Sequence, residues 1–200
     1  KVFIHMPTVD LFPSSTVSNN WNGINPGYAT AHGALASSSD SGISTPDQND
    51  SCVVELDNLP FASGTINSVQ FKTLGFVFLT RSASFDIAVN LLDSINNWYT
   101  ENVTIAFNGY TPTAANGTVR TTSNGSSAWT IAQVNALRLE ITTAPVDPPA
   151  VSQAVVTYAY VTVDYTAAAG YGNTVNGVAA ANIGKLITQP TANISKVNGI

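Results

Sequence analysis

Val155-Val-Thr-Tyr-Ala-Tyr-Val-Thr-Val-Asp-Tyr165 consists almost wholly of β-branched and aromatic residues. Such side chains suit a pleated, half-buried surface and lose rotamer freedom in a helix. This is the longest candidate strand, and the segments around it follow the same alternation. Phe85, Ile87, Val89 and Leu91 alternate with Asp86, Ala88, Asn90 and Leu92. Val103, Ile105 and Phe107 alternate with Thr104, Ala106 and Asn108, and Leu137, Leu139 and Ile141 with Arg138, Glu140 and Thr142. A period of two over such lengths marks half-buried strands. Cys52–Asp57 and Val69–Thr80 add two more; in the second the apolar phase shifts between Phe71 and Phe76, and Gly75 is the natural place for a bulge or kink. No comparable segment has a 3.6-residue period, and Thr130–Ala136 offers a single helical turn after Trp129. Pro26-Gly27, Asn108-Gly109, Asn116-Gly117, Asn124-Gly125 and Pro148-Pro149 punctuate the strands. The expected fold is all-β, a jelly-roll-like antiparallel β-sandwich, because the intervening loops are long for a tight meander.

Outward from residues 51–168, expected as the sandwich, the composition changes. Ser14–Asn25 and Ser37–Ser51 are polar and rich in small residues, with Trp21 and Tyr28 as isolated anchors. Residues 1–50 therefore read as an N-terminal arm and long loops wrapped on the sandwich. At the other end, residues 169–200 form an extended tail with an imperfect eleven-residue repeat. Ala-Asn-Ile-Gly-Lys-Leu at 181–186 returns as Ala-Asn-Ile-Ser-Lys-Val at 192–197, and Val-Asn-Gly-Val at 175–178 as Val-Asn-Gly-Ile at 197–200. A segment so poor in apolar area cannot fold by itself, yet its apolar positions recur too regularly for a solvated linker. It is expected to dock on a partner through Ile183, Leu186, Ile194 and Val197.

Only 10% of the 200 residues are charged, against roughly 25% in an average soluble protein, so Ser, Thr and Asn must solubilise the surface. The net charge is −5, and Lys72, Arg81, Arg120, Arg138, Lys185 and Lys196 are scattered singly. Nucleic-acid affinity comes largely from clustered Lys and Arg, so no nucleic-acid partner is expected. No apolar run reaches the ~18 residues of a membrane span, and no membrane partner is expected. The opening Lys-Val-Phe-Ile-His-Met-Pro is too short to be a signal peptide; the chain starts on Lys1, so an initiator Met or a longer leader is expected upstream.

Catalytic constellations are not legible. His5 and His32 are the only histidines; His32 has Asp40 and several serines nearby, but no Gly-x-Ser-x-Gly accompanies it, and it reads as a polar loop residue. Asp86, Glu140 and Asp164 fall at outward strand positions rather than as a paired acid and base. The acidic loop Asp40…Asp47-Gln-Asn49-Asp50 lacks the spacing of a helix–loop–helix calcium site. Cys52, the only cysteine, heads a strand as a small buried hydrophobe. No catalytic residue, metal or cofactor is expected. Among the aromatics, Trp98-Tyr99 reads as a turn between two strands and is the best candidate for stacking on a sugar ring.

Two stretches carry a resemblance. Ala128-Trp-Thr-Ile-Ala-Gln-Val-Asn-Ala-Leu-Arg-Leu-Glu-Ile141 and Val151-Ser-Gln-Ala-Val-Val-Thr-Tyr-Ala-Tyr-Val-Thr-Val-Asp-Tyr165 resemble the closing strands of jelly-roll modules in tailed-phage virion proteins. The end of the chain, Asn193–Gly199, also looks like the tails of virion-associated proteins. Gln133 departs from the pattern, where such modules often carry Asp. The resemblance implies a non-enzymatic virion structural protein: capsid decoration (cement), or a tail, baseplate or fibre component. It would assemble with other virion proteins (a major capsid or tail protein) and with copies of itself as a homo-oligomer on the particle surface. A carbohydrate-binding or adhesion module is the alternative function, motivated by Trp98 and Tyr99. A polysaccharide-degrading enzyme is a second alternative and needs two carboxylates across a groove.

Overall fold

A computed structural model of the chain describes residues 7–21, 23–24, 28–37, 42–45, 50–79, 85–92, 98–105, 111–123, 127–143, 152–168, 185–186 and 189–190. Three strands open it, β1 (Thr8–Leu11), β2 (Pro13–Asn19) and β3 (Gly23–Ile24), followed by a short helix α1 (Ala31–Leu35). Then come β4 (Ile43–Thr45), β5 (Ser51–Leu56), β6 (Gly64–Leu79), β7 (Phe85–Leu92), β8 (Trp98–Ile105) and β9 (Thr113–Asn116). Helix α2 (Ile131–Asn135) precedes β10 (Arg138–Thr143) and β11 (Ser152–Ala167). The strands from β4 to β11 fall into two antiparallel sheets, ordered β4-β11-β6-β9 and β5-β10-β7-β8. Renumbered one to eight along the chain, those orders are 1-8-3-6 and 2-7-4-5. That connectivity is a jelly roll. The all-β sandwich expected from the alternation is the fold.

Alternation decides which side chains fill the space between the sheets. Val69 and Phe71 of β6 and Ala159, Val161 and Val163 of β11 are buried from one sheet. Cys52 and Val54 of β5 and Leu139 and Ile141 of β10 meet them from the other.

Residues 1–50, expected as an arm, are in their described part built into the sandwich. β1 lies against β11 from Thr8↔Asp164 to Leu11↔Val161, and β2 extends the other sheet along β5. Leu11, Trp21, Ala31, Ala34, Leu35 and Ile43 of this segment are buried. Helix α1 touches β2 and β5 of one sheet and β4 and β11 of the other, and so plugs one end of the sandwich. The polar average of the segment conceals this, because edge strands and a plug need only one apolar face.

A slip in register at Gly75 sets which side chains of β11 face outward. Val156 faces Gly75 but Tyr158 faces Leu74, which leaves Thr157 as the extra residue. The irregularity expected at Gly75 is thus a bulge whose extra residue stands on the opposite strand. The buried hydroxyls there are satisfied: Thr157 Oγ1 donates to the Leu74 carbonyl (3.2 Å) and Thr73 Oγ1 to that of Tyr158 (2.7 Å). Beyond the slip, Tyr158, Tyr160, Thr162 and Asp164 face outward while Ala159, Val161 and Val163 face the core.

In the tail, β12 (Lys185–Leu186) and β13 (Gln189–Pro190) pair with each other, antiparallel, in a separate two-stranded sheet. Among the described residues no helix is long and apolar enough to cross a membrane.

Candidate functional site

The outer face of the β11 sheet carries an aromatic cluster outside the core. Phe12, where the chain crosses from β1 to β2, has its ring 5.7 Å from that of Tyr158 and 5.6 Å from that of Tyr160. The two tyrosine rings are 4.9 Å apart and tilted by 45°. These spacings fall in the range of favourable aromatic contacts. The sequence makes the cluster in two ways. Residues two apart on β11 share a face, and the pairing Leu11↔Val161 puts the next residue of the first strand level with Tyr160.

Polar groups border the rings. On β6, Lys72 is the register partner of Tyr160, and its Nζ lies 5.9 Å from the centre of that ring, within cation–π range. Asp10, the partner of Thr162, accepts a 2.6 Å hydrogen bond from Thr162 Oγ1. Gln70, also opposite Thr162, donates from Nε2 to the Gly117 carbonyl (2.9 Å). One row further, Asn67 Nδ2 donates to Asp164 Oδ1 (3.2 Å) and to Thr166 Oγ1 (3.1 Å). Burial raises the Tyr158 phenol above its ordinary value of 10.0, with Tyr160 and Asp10 adding to it; burial, then Asp10, does the same to Tyr160. Both hydroxyls are therefore neutral at physiological pH and can donate as well as accept. A row of apolar ring faces edged by hydroxyl, amide, carboxylate and ammonium groups is chemically suited to a ligand that is apolar on its faces and polar on its rim.

The outer face of the other sheet differs. Ser15 Oγ and Arg138 Nη2 donate to the Glu55 carboxylate (2.9 and 2.8 Å), and Ser51 Oγ donates to Glu140 Oε1 (2.7 Å). The serine first and the arginine second hold the Glu55 carboxyl below its ordinary value. No aromatic ring is present among the described side chains of β2, β5 and β10.

At the α2 end lies a shallow, mostly apolar depression between Leu59–Ala62 and Ile131, Ala132 and Asn135. Phe61 stacks on Tyr165 there, 4.1 Å between ring centres. Helix α2 is the single turn expected after Trp129. Thr130 and Gln133 form a capping box at its start, and Asn135 Oδ1 accepts from the Leu59 amide (2.8 Å).

Of the residues singled out in the sequence, Trp98 and Tyr99 open β8 rather than occupying the preceding turn, because the ladder with β7 runs on to Leu92↔Trp98 and Leu91↔Tyr99. Aromatic residues favour such extended pairing. Their side chains lie outside the described set. Leu186 belongs to β12, while Ile183, Ile194 and Val197 are outside the described residues. Trp21 and Trp129 are buried, their indole N–H groups donating to the carbonyls of Asp50 and Arg120 (3.1 Å each), which removes both from any sugar platform. His32 is in α1, not a loop. Its Nδ1 lies 3.0 Å from Thr16 Oγ1 and its Nε2 3.4 Å from Thr30 Oγ1, so it ties the helix to β2. Glu140 and Asp164 stand on the outer faces of opposite sheets and cannot flank one glycosidic bond. Asp86 is on β7 with its side chain undescribed, and of the loop Asp40–Asp50 the acids Asp40 and Asp47 are outside the described residues. Cys52 is fully buried, and burial pushes its thiol up to about 12.

The ring cluster itself is not legible in the sequence. Tyr158 and Tyr160 are visible there as strand residues, but Phe12 is more than a hundred positions away and only the β1–β11 register joins them.

No protein-family model matches this chain, and no curated protein matches it. One solved structure is similar. It is the crystal structure of the CBM36-1 domain of a multidomain xylanase from the hindgut metagenome of Trinervitermes trinervoides. Identity is 12%, the TM-score is 0.39, and 78% of this chain and 96% of that chain are covered. At that similarity it carries no argument about what this chain binds. None of these comparisons supports the virion protein that the two stretches, here Trp129–α2–β10 and β11, resemble.

Proposed function

We propose that the sandwich is a non-catalytic carbohydrate-binding module whose site is the outer face of β1, β11 and β6. The observation that supports it is the cluster of Phe12, Tyr158 and Tyr160 outside the core, edged by Asp10, Thr162, Gln70 and Lys72. Cross-strand aromatic pairs also stabilise a sheet, by roughly 0.2–1 kcal/mol each, so fold and binding must be separated by experiment. Tyr160→Ala and Tyr158→Ala, compared with the wild type on a panel of soluble polysaccharides by affinity electrophoresis and calorimetry, do this. A ring contact worth roughly 0.5–1.5 kcal/mol predicts binding weakened about two- to twelvefold by each change. Melting temperatures should stay within a few degrees of wild type. Binding left intact by both changes, or no polysaccharide bound by the wild type, overturns the reading.

A second reading has one observation in its favour. Among the described residues the β12–β13 pair has two residues per strand and joins neither body sheet. A hairpin of that size is not stable alone in water. It fits a tail that is completed by another surface, as in a virion structural protein whose tail docks on a capsid or tail neighbour through Ile183, Leu186, Ile194 and Val197. Loss of particle attachment on deleting residues 170–200 would support it, and unchanged attachment would overturn it.

A further inference from the structure

We infer that the outer-face site takes an extended, uncharged oligosaccharide lying along β11, and that Asp10 and Asp164 turn acidic sugars away; this rests on the carbohydrate reading. The first part comes from length. Outward positions on β11 run in one line from Tyr158 to Asp164, six residues apart, or about 20 Å at ~3.3 Å per residue. A single monosaccharide covers only part of that line, whereas a short linear chain spans it, with rings under one end and hydrogen-bonding groups under the other.

The second part comes from the order of groups along the line. The ring end carries Lys72 over Tyr160. The far end carries two carboxylates, Asp10 beside Thr162 and Asp164 beside Asn67. Each accepts one of these side-chain hydrogen bonds, and an ionised carboxylate has about four lone-pair sites, so acceptor capacity remains for sugar hydroxyls. A sugar acid in the same place would set carboxylate against carboxylate, and discrimination of this kind is built as much from repulsion as from attraction. Lys72 can compensate a single sugar acid at the ring end. It does not reach a uniformly acidic chain along its whole length.

The test measures binding of hexamers that share one linkage. Uncharged β-1,4-linked hexamers of glucose, xylose and mannose are compared with the β-1,4-linked glucuronic acid hexamer, by calorimetry at low ionic strength. The best neutral hexamer is expected to bind about tenfold or more tighter than the acidic one. It should also bind tighter than its own dimer. In the Asp10→Asn/Asp164→Asn variant the neutral-to-acidic ratio should fall to about two or less. An acidic hexamer bound as tightly as the neutral one by the wild type, a ratio unmoved in the variant, or a dimer as tight as the hexamer overturns this inference and leaves the carbohydrate reading standing. No hexamer of either kind bound overturns this inference, and a wild type that also binds no polysaccharide of the panel overturns both.

Discussion

Phe71 and Tyr160 lie one pleat apart on neighbouring strands, the first facing inward and the second outward. Among the described residues Phe71 is the largest fully buried side chain. Phe71→Ala should cost about 3–5 kcal/mol in urea unfolding, whereas Tyr160→Ala should cost less than about 1 kcal/mol. Equal costs would mean that the tyrosine belongs to the core. Cys52 gives a second residue-scale expectation. Its thiol is at about 12 against an ordinary 9.0, so the folded protein should resist thiol reagents at pH 8 and react only on unfolding. Below pH 9.0 the thiol is protonated in both states and has no effect on the pH dependence of stability. Between 9.0 and about 12 the unfolded chain ionises and the folded one does not, so stability falls as pH rises. The Cys52→Ala variant should lose that part of the alkaline slope. At this scale the inward residues of the long strands are legible from alternation alone. Which outward residues act together is not, because it depends on pairing between Thr8–Leu11 and Asp164–Val161 across most of the chain.

Helix α2, the Gly75 slip and the glycines at the strand ends show what single elements contribute. Thr130 accepts from the Gln133 amide at 3.1 Å and Gln133 Oε1 accepts from the Thr130 amide at 2.9 Å. Thr130→Ala should therefore cost about 0.5–2 kcal/mol, read as a lowered urea midpoint with an unchanged slope. Gly64 has φ +140°, and a Cβ there would lie 2.7 Å from the Thr166 carbonyl oxygen. At Gly42 a Cβ would meet the Val156 carbonyl. Alanine at either should destabilise the fold more than alanine in an exposed strand, because backbone atoms cannot step aside. The long strands and the helical turn after Trp129 are legible because each carries its own periodicity or cap. Helix α1 is not, since five residues span too few turns to display a 3.6-residue period. Likewise Trp98-Tyr99 reads as a turn until the Leu92↔Trp98 pair fixes it in a strand.

For the molecule as a whole, the first strands complete both sheets of the jelly roll: β1 beside β11, and β2 beside β5. Removing the first fifty residues would strip Leu11, Trp21, Leu35 and Ile43 from the core, and the remainder should not fold. Removing residues 170–200 should leave the melting temperature almost unchanged, because among the described residues neither body sheet uses β12 or β13. A truncated protein that failed to fold would place the tail in the domain's own core. The expectation that the tail docks elsewhere also rests on magnitudes. Four buried apolar side chains offer roughly 1.5–3 kcal/mol each. Ordering costs about 1–2 kcal/mol per residue, so docking as proposed would need backbone pairing with the partner as well.

Whether carbohydrate lies on the outer face of the β11 sheet can be read from backbone amide shifts. The full chain is titrated with a neutral β-1,4-linked hexamer and followed by NMR. The largest changes are expected on Phe12, Lys72, Tyr158, Tyr160 and Thr162, with Ser51–Leu56 and Arg138–Thr143 of the opposite sheet unmoved. Changes centred on Trp98 and Tyr99, or on Phe61 and Ile131, with the β11 face silent, would contradict binding there.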